Sequence, residues 1–157
     1  MSIIAARIDY RLLHGIVATQ WSPTYEPQRI MIIDDKTAND PILKEGMKMG
    51  RPAGVAISII TEETALNNFK AGKYEGQRVF IVTEKPDVLL KISQLGESMG
   101  EIVIGLTRDL SEGLQVTKRA SVSDEELETY KKLLDKDVPI YCQYVPADKK
   151  IELKSCL

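Results

Sequence analysis

The chain is short of several residue types, and each shortage excludes something. It has one histidine, two cysteines, one tryptophan and two phenylalanines among 157 residues. A lone histidine with no clustered Cys or His leaves no metal-ligand pattern. Cys142 and Cys156 have no second Cys pair beside them, so free thiols in a reducing cytosol are expected. Neither has the histidine near it in sequence, so a cysteine nucleophile is not indicated. Long apolar runs are also missing: stretches such as Val79 to Val82 or Ile102 to Ile104 fall far short of the ~20 residues that span a bilayer. The opening MSIIAARID lacks the longer apolar core and small-residue cleavage site of a secretory signal, so a cytoplasmic protein is expected. Nor is there an excess of either charge. Lys+Arg of 21 against Asp+Glu of 23 gives a net charge of −2, with no electrostatic drive toward nucleic acid or an anionic membrane.

What is present is a regular alternation. β-branched runs recur at Ile3 to Ile8, Arg29 to Ile33, Val55 to Ile60, Arg78 to Val82, Glu101 to Ile104 and Val138 to Val145, each bounded by Gly, Pro or acidic residues. Helical signals fill the gaps. Gly15 to Thr24 follows the first strand, and Thr37 to Met49 has apolar residues at helical spacing. Thr61 caps a helix closed near Gly72, Pro86 opens another to about Leu95, and Ser123-Asp124-Glu125-Glu126 is a capping box for a last helix to about Asp135. Leu106 to Ala120 reads as loop with one short strand at Leu114 to Thr117, and the chain from Asp148 as a frayed or edge-packed tail. Such alternation predicts an α/β fold, a doubly wound, mostly parallel open sheet with helices on both faces, in a single domain spanning 1–157. Functional residues in such a sheet gather at the carboxyl ends of the strands.

The most unusual stretch follows the first strand: Arg7-Ile8-Asp9-Tyr10-Arg11-Leu12-Leu13-His14-Gly15. A neutral imidazole accepts and returns a phosphoryl group near pH 7. Arginine forks suit the spread charge of that group in flight. A helix starting near Gly15 points free N–H groups at the same anion, and Gly15 lets backbone come close. Asp9 is placed to orient a ring N–H or an arginine. The plainer alternatives are a packed or capping histidine and surface arginines without special role.

The run ARIDYRLLHGIVATQW closely resembles the motif R-I-D-D-R-L-I-H-G-Q-V of the mannose/fructose/sorbose family of phosphotransferase-system IIB components. RIMIIDDKTANDPILKEGMKMGRPAGVAISI, GKYEGQRVFIVTEKP and SVSDEELETYKKLLDKDVPIYCQYVPADKK extend the resemblance over nearly the whole chain. It implies a phosphoryl-carrier subunit, a protein-N(pi)-phosphohistidine–sugar phosphotransferase. His14 would take phosphate through Nδ1 from the phosphohistidine of a IIA component and pass it to the 6-position of a hexose, or to an amino sugar. The acceptor sugar moves through a IIC/IID membrane complex. Arg7, Asp9, Arg11 and Gly15 would surround the phosphate. No organic cofactor or metal is implied, and the subunit would sit in the cytoplasm beside the membrane permease without inserting. One antiparallel edge strand is also implied, with Val138 to Val145 as candidate.

This chain departs from the pattern at Tyr10, at Ile16 and at Gly105-Leu106-Thr107, where the family has a second Asp, Gln and a Gly-Gly-Met segment. Two other classes compete. Asp34-Asp35 with Thr83 and Lys85-Pro86 suggests a receiver-like phospho-signalling or regulatory binding domain, but the third strand ends Ile59-Ile60-Thr61 where a receiver carries its phosphorylated aspartate. A nucleotide-binding enzyme would need G-x-G-x-x-G or G-x-x-x-x-G-K-[ST] after a strand, and neither occurs. Asp34 and Asp35 read as a strand-end turn and cap, or as lining of the His14 cleft. Trp21 and Tyr25 read as core packing or as a partner surface.

Overall fold

The computed structural model describes residues 2–157. Five strands come first in the chain, β1 (Ile3–Asp9), β2 (Arg29–Ile33), β3 (Ala56–Ile60), β4 (Val79–Thr83) and β5 (Ile102–Leu106). They are followed by β6 (Leu114–Thr117), β7 (Ala120–Val122), β8 (Ile140–Cys142) and β9 (Ile151–Glu152). The main sheet has the order β3-β2-β4-β1-β5-β8-β9, and β6 and β7 form a separate antiparallel hairpin. Pairing in the main sheet is parallel except between β8 and β9.

The helices are α1 (Ser22–Tyr25), continuing from a π turn at Val17–Trp21, α2 (Asp35–Ala38), α3 (Pro41–Lys48), α4 (Glu62–Lys70), α5 (Asp87–Gln94) and α6 (Asp124–Asp135). Right-handed crossovers send them to opposite faces. On one face Val17, Trp21, Ile30, Ile32, Phe80 and Val82 form a core with Met47 of α3 packed against it. On the other, Ala65, Phe69, Leu89, Ile92, Tyr130 and Leu133 from α4, α5 and α6 pack on Ala6, Ile8 and Ile81.

The chain leaves β1 toward β2 on one side, and crosses from β4 to β5 on the other. β1, flanked by β4 and β5, is therefore at the switch point where a crevice opens above the carboxyl edge. Because strand residues alternate faces, Ala5, Arg7 and Asp9 look toward Trp21 while Ala6 and Ile8 look toward α5.

The capping signals act as the sequence suggests. Thr61 accepts from Thr64 N, and Ser123 and Glu126 complete a reciprocal box. Two expectations are corrected. Val138 to Val145 is not the antiparallel edge: its ordered core, β8, runs parallel to β5, and the edge is β9, which pairs Ile151 with Cys142. Two residues with one apolar side chain are too short a pattern to read as a strand. The Thr37 to Met49 helix is two helices, because Asp40 caps Ile42 and Leu43 and Pro41 occupies the first turn of α3. The short strand β6 lies at Leu114–Thr117 as expected, and it pairs with β7, whose Ala-Ser-Val has no β-branched run to announce it.

Candidate functional site

The His14 loop is folded by a carboxylate. Asp9, at the end of β1 and wholly buried, accepts from Arg11 N through Oδ1 at 2.9 Å, and Leu12 N donates to Asp9 O at 3.1 Å. That turn places Leu12 in the left-handed region at φ 59. Such a conformation costs a leucine about 1–3 kcal/mol, and burial of the Leu12 and Leu13 side chains against Val17 and Trp21 offsets it. The loop thereby turns His14 back over the end of its own strand.

The Oδ2 atom of Asp9 serves two donors. It lies 2.8 Å from His14 Nε2 and 3.0 Å from Arg7 Nε. A carboxylate accepts only, so the contact places a proton on Nε2, and in the neutral ring Nδ1 keeps its lone pair. The imidazole side chain is 10% exposed, which leaves an edge open to solvent above the crevice. Past His14, Ala18 N donates to His14 O, while the amides of Gly15, Ile16 and Val17 have no main-chain acceptor among the described residues. Apart from its chain neighbours, a Cβ on Gly15 would meet nothing within 4 Å, so the glycine does not relieve a clash.

Arg7 is placed differently from the expectation that it lines a phosphate. Its side chain is 0% exposed and every end of its fork is engaged: Nε on Asp9, Nη1 on Gln143 O at 3.2 Å, Nη2 on Tyr144 O at 3.0 Å. Trp21 lies under it at 5.0 Å and donates its own Nε1 hydrogen to Tyr144 O. Burial pulls the guanidinium pKa down, and Asp9 opposes that shift. Arg7 therefore reaches His14 only through Asp9, as a brace. Arg11 is the exposed arginine of the loop and pairs with no carboxylate among the described residues.

Sequence reasoning missed the residues that hold Arg7. Gln143 donates from Nε2 to Pro146 O and Asp148 O at 3.0 Å each, which coils the loop after β8 so that two successive carbonyls face inward. Gly105 lies beneath the guanidinium, and any Cβ there would collide with Arg7 Cζ and both terminal nitrogens. A glycine at the end of a β-strand was the one available signal.

On this rim Tyr10, one of the departures from the family pattern, meets the residue that follows another, Gly105-Leu106-Thr107. Arg108, just after β5, stacks 4.9 Å over the Tyr10 ring and bonds Glu84 through Nε and Nη2 at 3.1 and 3.2 Å. Asp34 caps α2 through Thr37, and Asp35 Oδ1 accepts from Glu62 N at the start of α4; both also line a small surface cavity with Thr83 and Glu84. Trp21 and Tyr25 stack on one another in the core, and Tyr25 Oη donates to Glu101. Burial pushes the Cys142 thiol up to about 12, so it stays protonated and inert, unlike a nucleophile. Among the described residues no group of three His, Cys, Asp or Glu is arranged to hold a metal, and no helix is long and apolar enough to cross a membrane.

An open parallel sheet with one imidazole fixed in one tautomer at its switch point defines a class of α/β domain built around a single histidine. The sequence model of the family described as "PTS system sorbose subfamily IIB component" matches residues 3–157, and the chain belongs to that family. It is 27% identical over 148 residues to the fructose-specific EIIB component of Bacillus subtilis (strain 168), covering 94% of this chain and 91% of the relative. It is 28% identical over 153 residues to the mannose-specific EIIAB component of Escherichia coli (strain K12), of which it spans 47%. The IIBSor domain of the sorbose permease from Klebsiella pneumoniae superposes with a TM-score of 0.89 at 26% identity, over 99% of this chain and 96% of that one. The N-acetylgalactosamine-specific IIB component 1 from Escherichia coli does so with a TM-score of 0.84 at 27% identity, over 96% and 99%. The chain is thus a IIB component of the sugar phosphotransferase system, a family whose members are sugar phosphotransferases.

Proposed function

We propose that His14 carries a phosphoryl group between a phosphorylated IIA protein or domain and a sugar passing through a IIC/IID membrane complex. The whole chain acts as one unit at the cytoplasmic face of that permease. The observation that carries this reading is the 2.8 Å contact from Asp9 to His14 Nε2, which leaves Nδ1 as the nucleophilic nitrogen. In the first transfer Nδ1 attacks phosphorus in line, the Nδ1–P bond forms, and the donor's N–P bond breaks with its electron pair returning to the donor imidazole. The ring of His14 then gains positive charge, which the buried Asp9 carboxylate opposes at close range. In the second transfer a sugar hydroxyl oxygen attacks phosphorus, the O–P bond forms as the hydroxyl proton is lost to water, and the Nδ1–P pair returns to His14.

Arg11 and the free amides at Gly15, Ile16 and Val17 supply the donors for the moving phosphoryl oxygens. Arg7 and Asp9 keep the imidazole in position without touching the phosphate. The fused EIIAB relative supports a IIA donor. The acceptor class is a hexose or amino sugar, as the names of fructose-, mannose-, sorbose- and N-acetylgalactosamine-specific relatives suggest.

The test is phosphorylation by a reconstituted donor chain with phosphorus NMR. Wild-type protein is expected to show one acid-labile phosphohistidine signal, and His14→Ala a folded protein with none. Phosphate retained by His14→Ala would overturn the assignment.

A further inference from the structure

The molecule carries a second group of cations that phosphoryl carriage by His14 does not use. A cavity of about 630 Å³ opens between the β6–β7 turn and the loop after β8, lined by Thr117, Lys118, Arg119, Gln143, Tyr144 and Lys149 among others. That volume lies inside the roughly 300–1,000 Å³ of small-molecule sites. Lys118, Arg119 and Lys149 are exposed, and none forms an ion pair among the described residues. Elsewhere Lys48, Lys85, Lys91, Lys131 and Lys150 each reach a carboxylate. The cavity's one carboxylate, Asp148, is engaged with Val145 N.

Arg119 is held without a carboxylate partner. Its guanidinium lies 4.1 Å from the centre of the Tyr144 ring, and Thr117 Oγ1 braces its backbone by accepting from Arg119 N. A stacked arginine keeps its donor fork free for a bidentate anion. Beside it, the Gln143 amide nitrogen is committed to the loop while Oε1 has no hydrogen-bond partner among the described residues, leaving an acceptor for a ligand hydroxyl.

We propose that this cavity binds a hexose phosphate, and that its occupancy is transmitted to His14. The proposal rests on the carrier function above, since a sugar phosphate is the class of product released by transfer from His14. The route is continuous. The loop that forms the cavity wall offers Gln143 O and Tyr144 O to Arg7, Arg7 holds Asp9, and Asp9 holds His14. Phosphate drawing Arg119 from the Tyr144 ring moves the residue whose carbonyl supports that chain of contacts.

The experiment titrates a hexose 6-phosphate into the unphosphorylated protein and follows the backbone amides of Lys118, Arg119 and Lys149 together with the His14 ring by nitrogen-15 NMR. Saturable shifts in both sets are expected at millimolar ligand. Arg119→Ala and Lys149→Ala should each weaken binding about tenfold, the loss of one charge-assisted contact. His14→Ala should still show saturable cavity binding, because it removes none of the cavity's own contacts. Inorganic phosphate, the second probe, should bind at least several-fold more weakly because it reaches none of the hydroxyl-reading atoms. Equal binding of inorganic phosphate, full binding by Arg119→Ala, loss of binding in His14→Ala, a silent His14 ring, or no shifts at all would overturn the proposal. Phosphoryl acceptance by His14 is measured separately, so failure there defeats the carrier function and is not confused with failure of the cavity.

Discussion

Two arginines near the carboxyl edge of the sheet have nearly the same partners and opposite settings. Arg7 pairs with Asp9 and lies 5.0 Å over Trp21; Arg108 pairs with Glu84 and lies 4.9 Å over Tyr10. The first pair is 0% exposed on both sides, the second 65% and 25%. In the interior both charges have lost water, so each depends on the other and on the carbonyls of Gln143 and Tyr144. At the rim, water solvates whatever the partner does not, and the pair tethers loops without supporting the fold. Similar contact geometry thus makes a brace in one place and a surface latch in the other.

Breaking the interior pair should have the largest effect. Arg7→Met leaves the buried Asp9 without the arginine's counter-charge, and is expected to cost on the order of 3–5 kcal/mol in urea unfolding with phosphoryl acceptance lost. The double variant Arg7→Met/Asp9→Leu sharpens the point. Removing both charges should recover much of that stability while acceptance stays absent, because His14 has then lost its orienting carboxylate; a double variant no more stable than the single one would contradict the account. Gly105→Ala forces a methyl into the Arg7 guanidinium and should cost about 1–3 kcal/mol by overpacking. Gln143→Leu uncoils the loop that presents the two carbonyls and should cost about 1–3 kcal/mol, with a shift in the His14 ring nitrogen signals that a purely structural residue would not cause. Arg108→Ala is expected to leave the unfolding midpoint unmoved; a loss comparable to that of Arg7→Met would erase the distinction.

Much of this was legible in the chain. The strands from Ile3 to Ile104, the Thr61 and Ser123 caps and the crowded loop from Arg7 to Gly15 are local patterns, and local patterns survive folding when apolar period and capping chemistry agree. The structure brings His14 and Asp9 together through a turn of five residues, within reach of motif reading. Arg7 was harder. Two arginines flanking an aspartate look alike in sequence, yet strand alternation sends Arg7 inward while Arg11, past the strand end, stays exposed. The short β7 and β9 pairings offer no period to read, because two or three residues cannot display one.

By itself the sequence determined the alternation of strands and helices, the single histidine with a carboxylate and two arginines near it, and the family those residues belong to. Only the tertiary structure decided that Arg7 is a buried brace, that Gly105 makes room for it, and that the loop after β8 closes over it. The physical reason is distance along the chain. Arg7 meets the carbonyl of Gln143 across 136 residues, a contact created by the order of strands in the sheet and by two oxygens that any residue type would supply.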